Sequence, residues 1–113
     1  MTTLGLHWFL EGRGSDATRL GDEARFEAVL RELPEALGLT VLTPPQIQEH
    51  DGGMVGMVLL AESHFTLRSS EGGLHADLFS CRDVDFTLAR ERLQAEFGPM
   101  DVTESTVERV FDD

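Results

Sequence analysis

Residues 52–61 read Gly-Gly-Met-Val-Gly-Met-Val-Leu-Leu-Ala and form the most apolar part of the chain. These ten residues are too few to cross a bilayer, which takes about 20. An almost unbroken apolar run of this length is typical of a buried strand, which we predict over Gly53–Ala61. Shortly after it, Phe65 and Leu67 alternate with polar residues, as in a strand with one buried face. The middle of the chain therefore predicts part of a β-sheet.

The segments on either side predict further strands and two helices. Apolar runs and alternation between turn residues predict strands at Leu4–Leu10, Leu39–Thr43, Leu74–Cys81 and Val102–Phe111. Apolar residues at helical spacing predict one helix from Asp22 to Gly38 and a second from Asp83 or Asp85 to Gly98. The order β-α-β-β-β-α-β predicts an α+β two-layer sandwich, in which both helices pack on one face of an antiparallel sheet. Without a linker or internal repeat, residues 1–113 are expected to form a single domain.

The charge and the cysteine content limit the partners and the compartment. The net charge of −12, from 9 basic and 21 acidic residues, argues against nucleic acid and anionic membranes, because both attract basic proteins. Cys81 is the only cysteine and the N-terminus shows no signal-peptide pattern, so we expect a cytoplasmic protein in a reducing compartment. In so small a domain, an open sheet face or edge also predicts a second subunit, most simply in a homodimer.

The nine basic residues are all Arg, and the chain contains no Lys. A protein without Lys cannot hold pyridoxal phosphate as the usual Lys aldimine, and it cannot form a Schiff base through a Lys of its own. A Walker-type phosphate loop, which needs a Lys, is excluded as well. If the chain carries out amine–carbonyl chemistry, the carbonyl must come from another source.

The densest group of reactive residues is Glu62-Ser63-His64, followed by His75 and Cys81. The group is compatible with a solvated strand end and a small buried cysteine, which need no function. A hydrolase couple of Ser63 and His64 conflicts with strand alternation unless the chain turns there, because neighbouring side chains of a strand point to opposite faces. A metal site of His64, His75 and Cys81 matches no compact zinc spacing and has no evident fourth ligand. We therefore expect no metal.

Two segments can be compared with known motifs: Leu59-Leu60-Ala61-Glu62-Ser63-His64-Phe65-Thr66-Leu67 and Ala76-Asp77-Leu78-Phe79-Ser80-Cys81. The first resembles the Ser/Ala-Glu-Ser-His core of the bacterial S-adenosylmethionine decarboxylase family. The second resembles that family's Ala-x-Asp-x-Phe-Thr/Ser-Cys segment, at nearly the separation the family shows. The size of the chain and the Gly5-Leu6-His7 opening also match.

The resemblance implies a proenzyme that cuts itself between Glu62 and Ser63. In this chemistry the Ser63 hydroxyl attacks the Glu62 carbonyl, the amide becomes an ester, and elimination and hydrolysis leave a pyruvoyl group at position 63. This implied cofactor replaces pyridoxal phosphate: it binds the amine of an amino-acid substrate as a Schiff base and accepts the electrons released with CO2. Cys81 matches the family's proton donor, and His64 belongs to the same motif. The implied pathway is polyamine biosynthesis.

Three positions depart from the family's pattern and bear on the substrate. Arg68 replaces a His that assists self-cleavage and stacks on the substrate's adenine, Val55 stands at a Ser that assists cleavage, and Glu49 stands near a second stacking aromatic. Because stacking contributes about 1–3 kcal/mol per base, the loss of the two stacking side chains at positions 68 and 49 favours L-arginine or L-ornithine over S-adenosylmethionine. A carboxylate at Glu49 or Glu71 would pair with the basic group of such a substrate. Arg68 would hold the substrate carboxylate or replace the missing His.

Two alternatives stay open at this point. In the first, the chain is a genuine S-adenosylmethionine decarboxylase. In the second, it is a homologue in which Val55 and Arg68 abolish self-cleavage. Such a homologue would be a non-catalytic partner subunit. The intact mass of the purified protein separates a cleaved chain from an uncleaved one.

Overall fold

A computed structural model describes residues 2–111, which form six strands and three helices. The strands are β1 (Thr2–Arg13), β2 (Gln46–His50), β3 (Gly53–Leu60), β4 (Ser63–Ser70), β5 (Gly73–Ser80) and β6 (Asp101–Phe111). The helices are α1 (Ala17–Leu20), α2 (Glu23–Ala36) and α3 (Phe86–Phe97). No helix in this part of the chain is long and apolar enough to span a membrane.

The strands form one antiparallel sheet in the order β2-β3-β4-β5-β1-β6. Three tight hairpins connect β2 to β5 along the chain. The first turns at Asp51 and Gly52, which both have positive φ, 50° and 76°, as a two-residue turn of this type requires. The first and last strands of the chain break this sequential order, because β1 lies between β5 and β6. Because β4, β5 and β1 are adjacent in the sheet, residues that are far apart in sequence become neighbours across these three strands.

The core lies between one face of the sheet and the helices α2 and α3. Each helix begins at an aspartate side chain that accepts a backbone N–H, Asp22 for α2 and Asp85 for α3. The helix α2 packs closely on β3, where a side chain at Gly56 would come within 2.5 Å of Leu30. The largest fully buried side chains of this layer include Trp8, Phe26, Leu30, Phe65, Leu67, Leu78, Leu93 and Phe97. The predicted α+β two-layer sandwich is confirmed.

Several details differ from the sequence prediction. The segment Leu39–Thr43 is not a strand, because it makes only one isolated bridge, between Val41 and Leu60, before two prolines that lack N–H donors. One edge strand of the sheet is β2, whose polar sequence gave no strand pattern. The four-residue α1 was not predicted either. The loss of the strand at Leu39–Thr43 and the gain of β2 cancel, so the described residues form six strands, as many as the individually predicted segments and one more than the order β-α-β-β-β-α-β holds.

The strand β3 is not buried on both faces. Its odd-numbered side chains Val55, Met57 and Leu59 are 37%, 38% and 47% exposed, whereas its even-numbered ones face the helices. We call the side of the sheet away from the helices the outer face. An antiparallel sheet usually carries polar residues on such a face, so an apolar strand there marks it as a surface of interest.

Candidate active site

Ser63 is the first residue of β4 and follows the turn at residues 61–62 directly. Its Oγ lies 3.0 Å from Nδ1 of His64, a hydrogen-bond distance. From sequence, this pair was excluded unless the chain turns there, and the chain does turn directly before Ser63. Strand alternation constrains residues within a strand, whereas Ser63 lies at the end of a tight turn. The two residues can therefore act as a hydroxyl and its base.

His64 is one of three titratable side chains that meet on the outer face. Its Nε2 lies 3.7 Å from Oδ1 of Asp77, and the same Oδ1 shares a hydrogen bond with Nε2 of His7. We call His7, His64 and Asp77 the histidine–aspartate array. They come from β1, β4 and β5, which are adjacent in the sheet. The array thus forms a continuous polar path that ends at Ser63.

Aromatic rings surround the array and limit its access to water. The ring of His7 stacks on Phe9 with centroids 4.3 Å apart, and Phe79 packs against both His7 and His64. The side chain of His7 is only 14% exposed, and those of His64 and Asp77 are 35% exposed. Polar contacts are stronger in such partly buried surroundings than in open water.

The array also bears on metal binding. Its three possible ligand atoms lie within 4.8 Å of one another, but two of them, on His7 and Asp77, already share a hydrogen bond. The metal site of His64, His75 and Cys81 that was considered from sequence does not assemble. His75 pairs with Arg68 and lies four residues from Phe79, the partner of His64, which is about 13 Å along a strand.

Cys81 lies at the same end of the sheet as Ser63. It follows Ser80, which pairs with Ser63 in β4 and with Leu6 in β1. Gly5 allows this arrangement, because a side chain there would come within 2.3 Å of the Ser80 carbonyl oxygen and 3.0 Å of the Cys81 Cα. The thiol of Cys81 is free and exposed. It is therefore available to a small molecule bound at Ser63.

Glu62, the residue before Ser63, is held by two elements. Its Oε1 accepts the backbone N–H of Thr40 at 3.0 Å, and its Oε2 lies 3.2 Å from Nη1 of Arg82. The Thr40 N–H is the main cause of a lowered pKa of the Glu62 carboxyl, the Arg82 hydrogen bond adds to it, and desolvation opposes both. Because the Glu62 side chain is only 8% exposed, these contacts fix one side of the 62–63 bond.

Arg68 and Val55, which depart from the expected pattern separately, are cross-strand partners on the outer face. They lie in one row with Gln48 of β2 and His75 of β5. Arg68 is four residues from His64, about 13 Å along β4. The row therefore forms a remote part of the face that carries His64, and the half-exposed imidazole of His75 is the one aromatic ring in it.

Glu49 and Glu71 do not lie near Ser63. Glu49 pairs with the buried Met54 and so faces the helix side of the sheet. Glu71 follows Ser70, seven residues and about 23 Å from Ser63 along β4. Both carboxylates line a separate surface cavity of about 680 Å³, beside α1. The prediction that they contact a substrate at Ser63 is not met within one chain.

Comparison with known proteins gives the family context. The family described as S-adenosylmethionine decarboxylase matches residues 6–110. An S-adenosylmethionine decarboxylase proenzyme of Prochlorococcus marinus strain MIT 9313 is 33% identical over 98 residues, which cover 84% of this chain and 78% of that protein. A proenzyme of the same name from Parasynechococcus marenigrum strain WH8102 is 34% identical over 71% of this chain and 64% of its own length.

A solved structure shows the same fold. The crystal structure of the adenosylmethionine decarboxylase from Aquifex aeolicus VF5 superposes with a TM-score of 0.84, over 100% of this chain and 96% of that one, at 22% identity. The resemblance inferred from the two sequence segments is thus confirmed. From sequence, His7 stood out only in the Gly5-Leu6-His7 opening and Asp77 only in the second segment, and neither residue had a predicted role. Their strands are predicted with side-chain alternation, but only the order β4-β5-β1 brings the two residues together.

Proposed function

The chain belongs to the S-adenosylmethionine decarboxylase family, and we propose that it cleaves itself between Glu62 and Ser63 with His64 as the base. Members of this family are pyruvoyl-dependent decarboxylases made as self-processing proenzymes, so the chain is an enzyme whose cofactor derives from one of its serines. The 3.0 Å contact between Ser63 Oγ and His64 Nδ1 carries the assignment of Ser63. A base must lie within hydrogen-bond reach of the proton it removes.

The contacts of Glu62 support the same assignment. Attack on a carbonyl requires that the hydroxyl and the carbonyl carbon keep a near-attack geometry. Thr40 and Arg82 hold the Glu62 side chain from one side, and the β3–β4 pairing of Leu60 with Ser63 closes the turn. The 62–63 bond therefore lies in a turn that is held by contacts on both sides, next to a serine with a base in reach.

In the mature enzyme the pyruvoyl group supplies an electron sink for the loss of CO2 from an amino acid. Cys81 donates the proton that replaces CO2 on the substrate carbon, because its free thiol is exposed at the Ser63 end of the sheet. A positioned proton donor accelerates such a step by about 10²–10⁴-fold. No pyridoxal phosphate or metal is needed for this chemistry.

We further propose that the substrate is L-arginine or L-ornithine, with the reaction serving polyamine biosynthesis. A nucleoside-bearing substrate bound at Ser63 extends further than a simple amino acid and needs flat partners for its base. The remote row of Gln48, Val55, Arg68 and His75 offers only one aromatic ring, the half-exposed imidazole of His75. A short amino acid needs only the Ser63 end, where Phe9 and Phe79 supply apolar walls. The carboxylates of Glu49 and Glu71 play no part in this proposal.

A homodimer completes the proposed enzyme. Val55, Met57 and Leu59 expose an apolar strip on the outer face, the face that also carries Ser63's partner His64. Packing two outer faces together buries this strip and excludes water from the site, which strengthens its polar contacts. We place the enzyme in the cytoplasm, where the exposed thiol of Cys81 stays reduced.

Self-cleavage is tested by denaturing electrophoresis and intact mass of freshly made protein. We expect fragments of about 7 and 5.5 kDa from the 12.5 kDa chain, in proportion to residues 1–62 and 63–113, and a ketone at the new N-terminus. The Ser63→Ala variant should remain one chain. A folded wild type that stays intact after long incubation refutes the proposal and favours a non-catalytic subunit.

The substrate is tested on the cleaved enzyme with carboxyl-labelled L-arginine, L-ornithine and S-adenosylmethionine. We expect CO2 release from one of the two basic amino acids to exceed that from S-adenosylmethionine. The opposite order overturns the substrate proposal and leaves self-cleavage untouched.

Light scattering of Met57→Glu should show a monomer where the wild type is a dimer. A wild type that is already monomeric overturns the dimer.

A further inference from the structure

We propose that Asp77 and His7 are positioning residues for self-cleavage: Asp77 orients His64 so that Nδ1 accepts the Ser63 proton, and His7 holds Asp77. This inference rests on the proposed function, in which Ser63 attacks Glu62. It assigns a role to two residues that do not touch the reacting bond. Each acts through its neighbour in the array.

The two nitrogens of His64 face different partners. Nδ1 lies 3.0 Å from Ser63 Oγ, and Nε2 lies 3.7 Å from Asp77 Oδ1. A neutral imidazole carries one N–H and one acceptor nitrogen. The carboxylate favours the proton on Nε2, which leaves the lone pair on Nδ1 free for the Ser63 hydroxyl. The carboxylate therefore selects the tautomer that can act as a base.

His7 in turn restricts the carboxylate. Its Nε2 shares a hydrogen bond with Asp77 Oδ1, and its own ring is fixed by stacking on Phe9 and edge contact with Phe79. At 14% exposure it is the most buried member of the array. A carboxylate held in this way does not lose its orientation by rotating into water, so the effect of Asp77 on His64 is maintained.

The step that the array serves is an isomerisation and needs no other reactant. The Ser63 Oγ–H bond breaks, its proton moves to His64 Nδ1, and Oγ bonds to the Glu62 carbonyl carbon. The C–N bond between residues 62 and 63 then breaks, and the proton on His64 moves to the Ser63 nitrogen. An ester and a free amine result. Asp77 stabilises the imidazolium that exists between the two transfers.

The charges around His64 set the expected dependence on pH. Leu59 faces it from β3, Phe79 and Asp77 from β5, and His7 from β1. Arg109 of β6 lies over the Phe79 ring at 5.9 Å. Asp77 is the one carboxylate among these neighbours, so its removal leaves the imidazolium beside positive and neutral groups. The imidazolium that forms during cleavage then has no negative neighbour among these groups.

The same face supplies a matched control. Glu11 and His75 also join β1 to β5, with the Glu11 carboxylate 3.9 Å from His75 Nδ1, but their side chains are 54% and 50% exposed. The pair lies in the row of Arg68, away from Ser63. Glu11→Gln and His75→Gln therefore remove equivalent groups without touching the array.

The test follows cleavage of newly synthesised proenzyme on denaturing gels over a range of pH. We expect Asp77→Asn to slow cleavage about 10-fold or more at neutral pH, and to move the acid limb of the rate profile to lower pH. His7→Gln should slow it by about 3-fold, and Glu11→Gln and His75→Gln by less than about 2-fold. Added imidazole should restore cleavage in His64→Ala, and equally in His64→Ala with Asp77→Asn, since a free base needs no orientation. That rescue also shows that Asp77→Asn folds.

Three results overturn the inference while the proposed function stands. One is wild-type rate and pH profile in Asp77→Asn. Another is equal slowing by Asp77→Asn and Glu11→Gln, which makes the effect general to the face. The third is loss of wild-type cleavage on adding a chelator, which makes the array a metal site. A wild type that never cleaves refutes the proposed function itself, and the inference with it.

Discussion

Two carboxylate–histidine pairs on the outer face join the same strands, β1 and β5, and differ in almost everything else. His7 and Asp77 are in direct contact, partly buried and connected through His64 to Ser63. Glu11 and His75 are 3.9 Å apart and half exposed. Exposed ion pairs contribute about 0–1 kcal/mol to stability, because water screens them. Only the first pair has the surroundings that give it chemical influence.

The reason lies in the rows of the sheet to which the pairs belong. The row of His7 and His64 includes Phe79, whose ring packs on both imidazoles. The row of Glu11 and His75 includes Arg68 and Val55, and neither of these side chains supplies a ring that packs on the His75 imidazole. We therefore expect the chemistry of the enzyme at the Ser63 end. The remote row affects binding at most.

The largest expected effect at the Ser63 end after loss of Ser63 itself is that of Cys81→Ala. Self-cleavage should proceed, but CO2 release should fall by about 100-fold or more, because the proton donor is lost. Some substrate should instead transaminate the cofactor, which mass spectrometry of the smaller fragment detects. A cysteine that only fills space predicts modest destabilisation and near-normal turnover. Full turnover by folded Cys81→Ala removes it from the mechanism.

Arg68→His tests the remote row and should have a smaller effect. It returns one flat ring to the face, so turnover of S-adenosylmethionine relative to L-arginine and L-ornithine should rise by up to about 10-fold, within the range of one stacking contact. The self-cleavage rate should change by less than about 2-fold, since His64 lies about 13 Å away along β4. A large change in cleavage would show that the two rows are coupled.

The smallest expected effect concerns the Glu62 contacts and depends on pH. The folded-state pKa of Glu62 is below the ordinary value of 4.5, mainly through the Thr40 N–H. The charged carboxylate therefore stabilises the fold above that value, and this contribution is lost as pH falls through the lower folded-state pKa. In the uncleavable Ser63→Ala background, Glu62→Gln should lower the melting temperature at neutral pH. The difference should vanish in strong acid, and a constant difference contradicts the assignment.

Much of the fold could be predicted from local patterns. The helix over Glu23–Ala36 follows from its apolar stripe and Asp22 cap, and the strands β3 to β5 follow from apolar runs between turns. The edge strand β2 could not be found, because pairing with β3 at the sheet edge, and not burial of its own side chains, makes it a strand. The exposure of β3 was also unpredicted, since an apolar run does not show which face is covered.

The sequence by itself determined the absence of Lys, the Glu62-Ser63-His64 and Cys81 motifs, and with them the family and its chemistry. Only the tertiary structure decided which groups act together. It joined His7 and Asp77 to His64, brought Ser63 into contact with its neighbour's imidazole, and put Glu49 and Glu71 at the far end of the sheet. Alternation along a strand is a local property that sequence carries. The order of strands, and the ends at which turns align, depend on pairing between distant segments, which a single sequence does not encode in any local pattern.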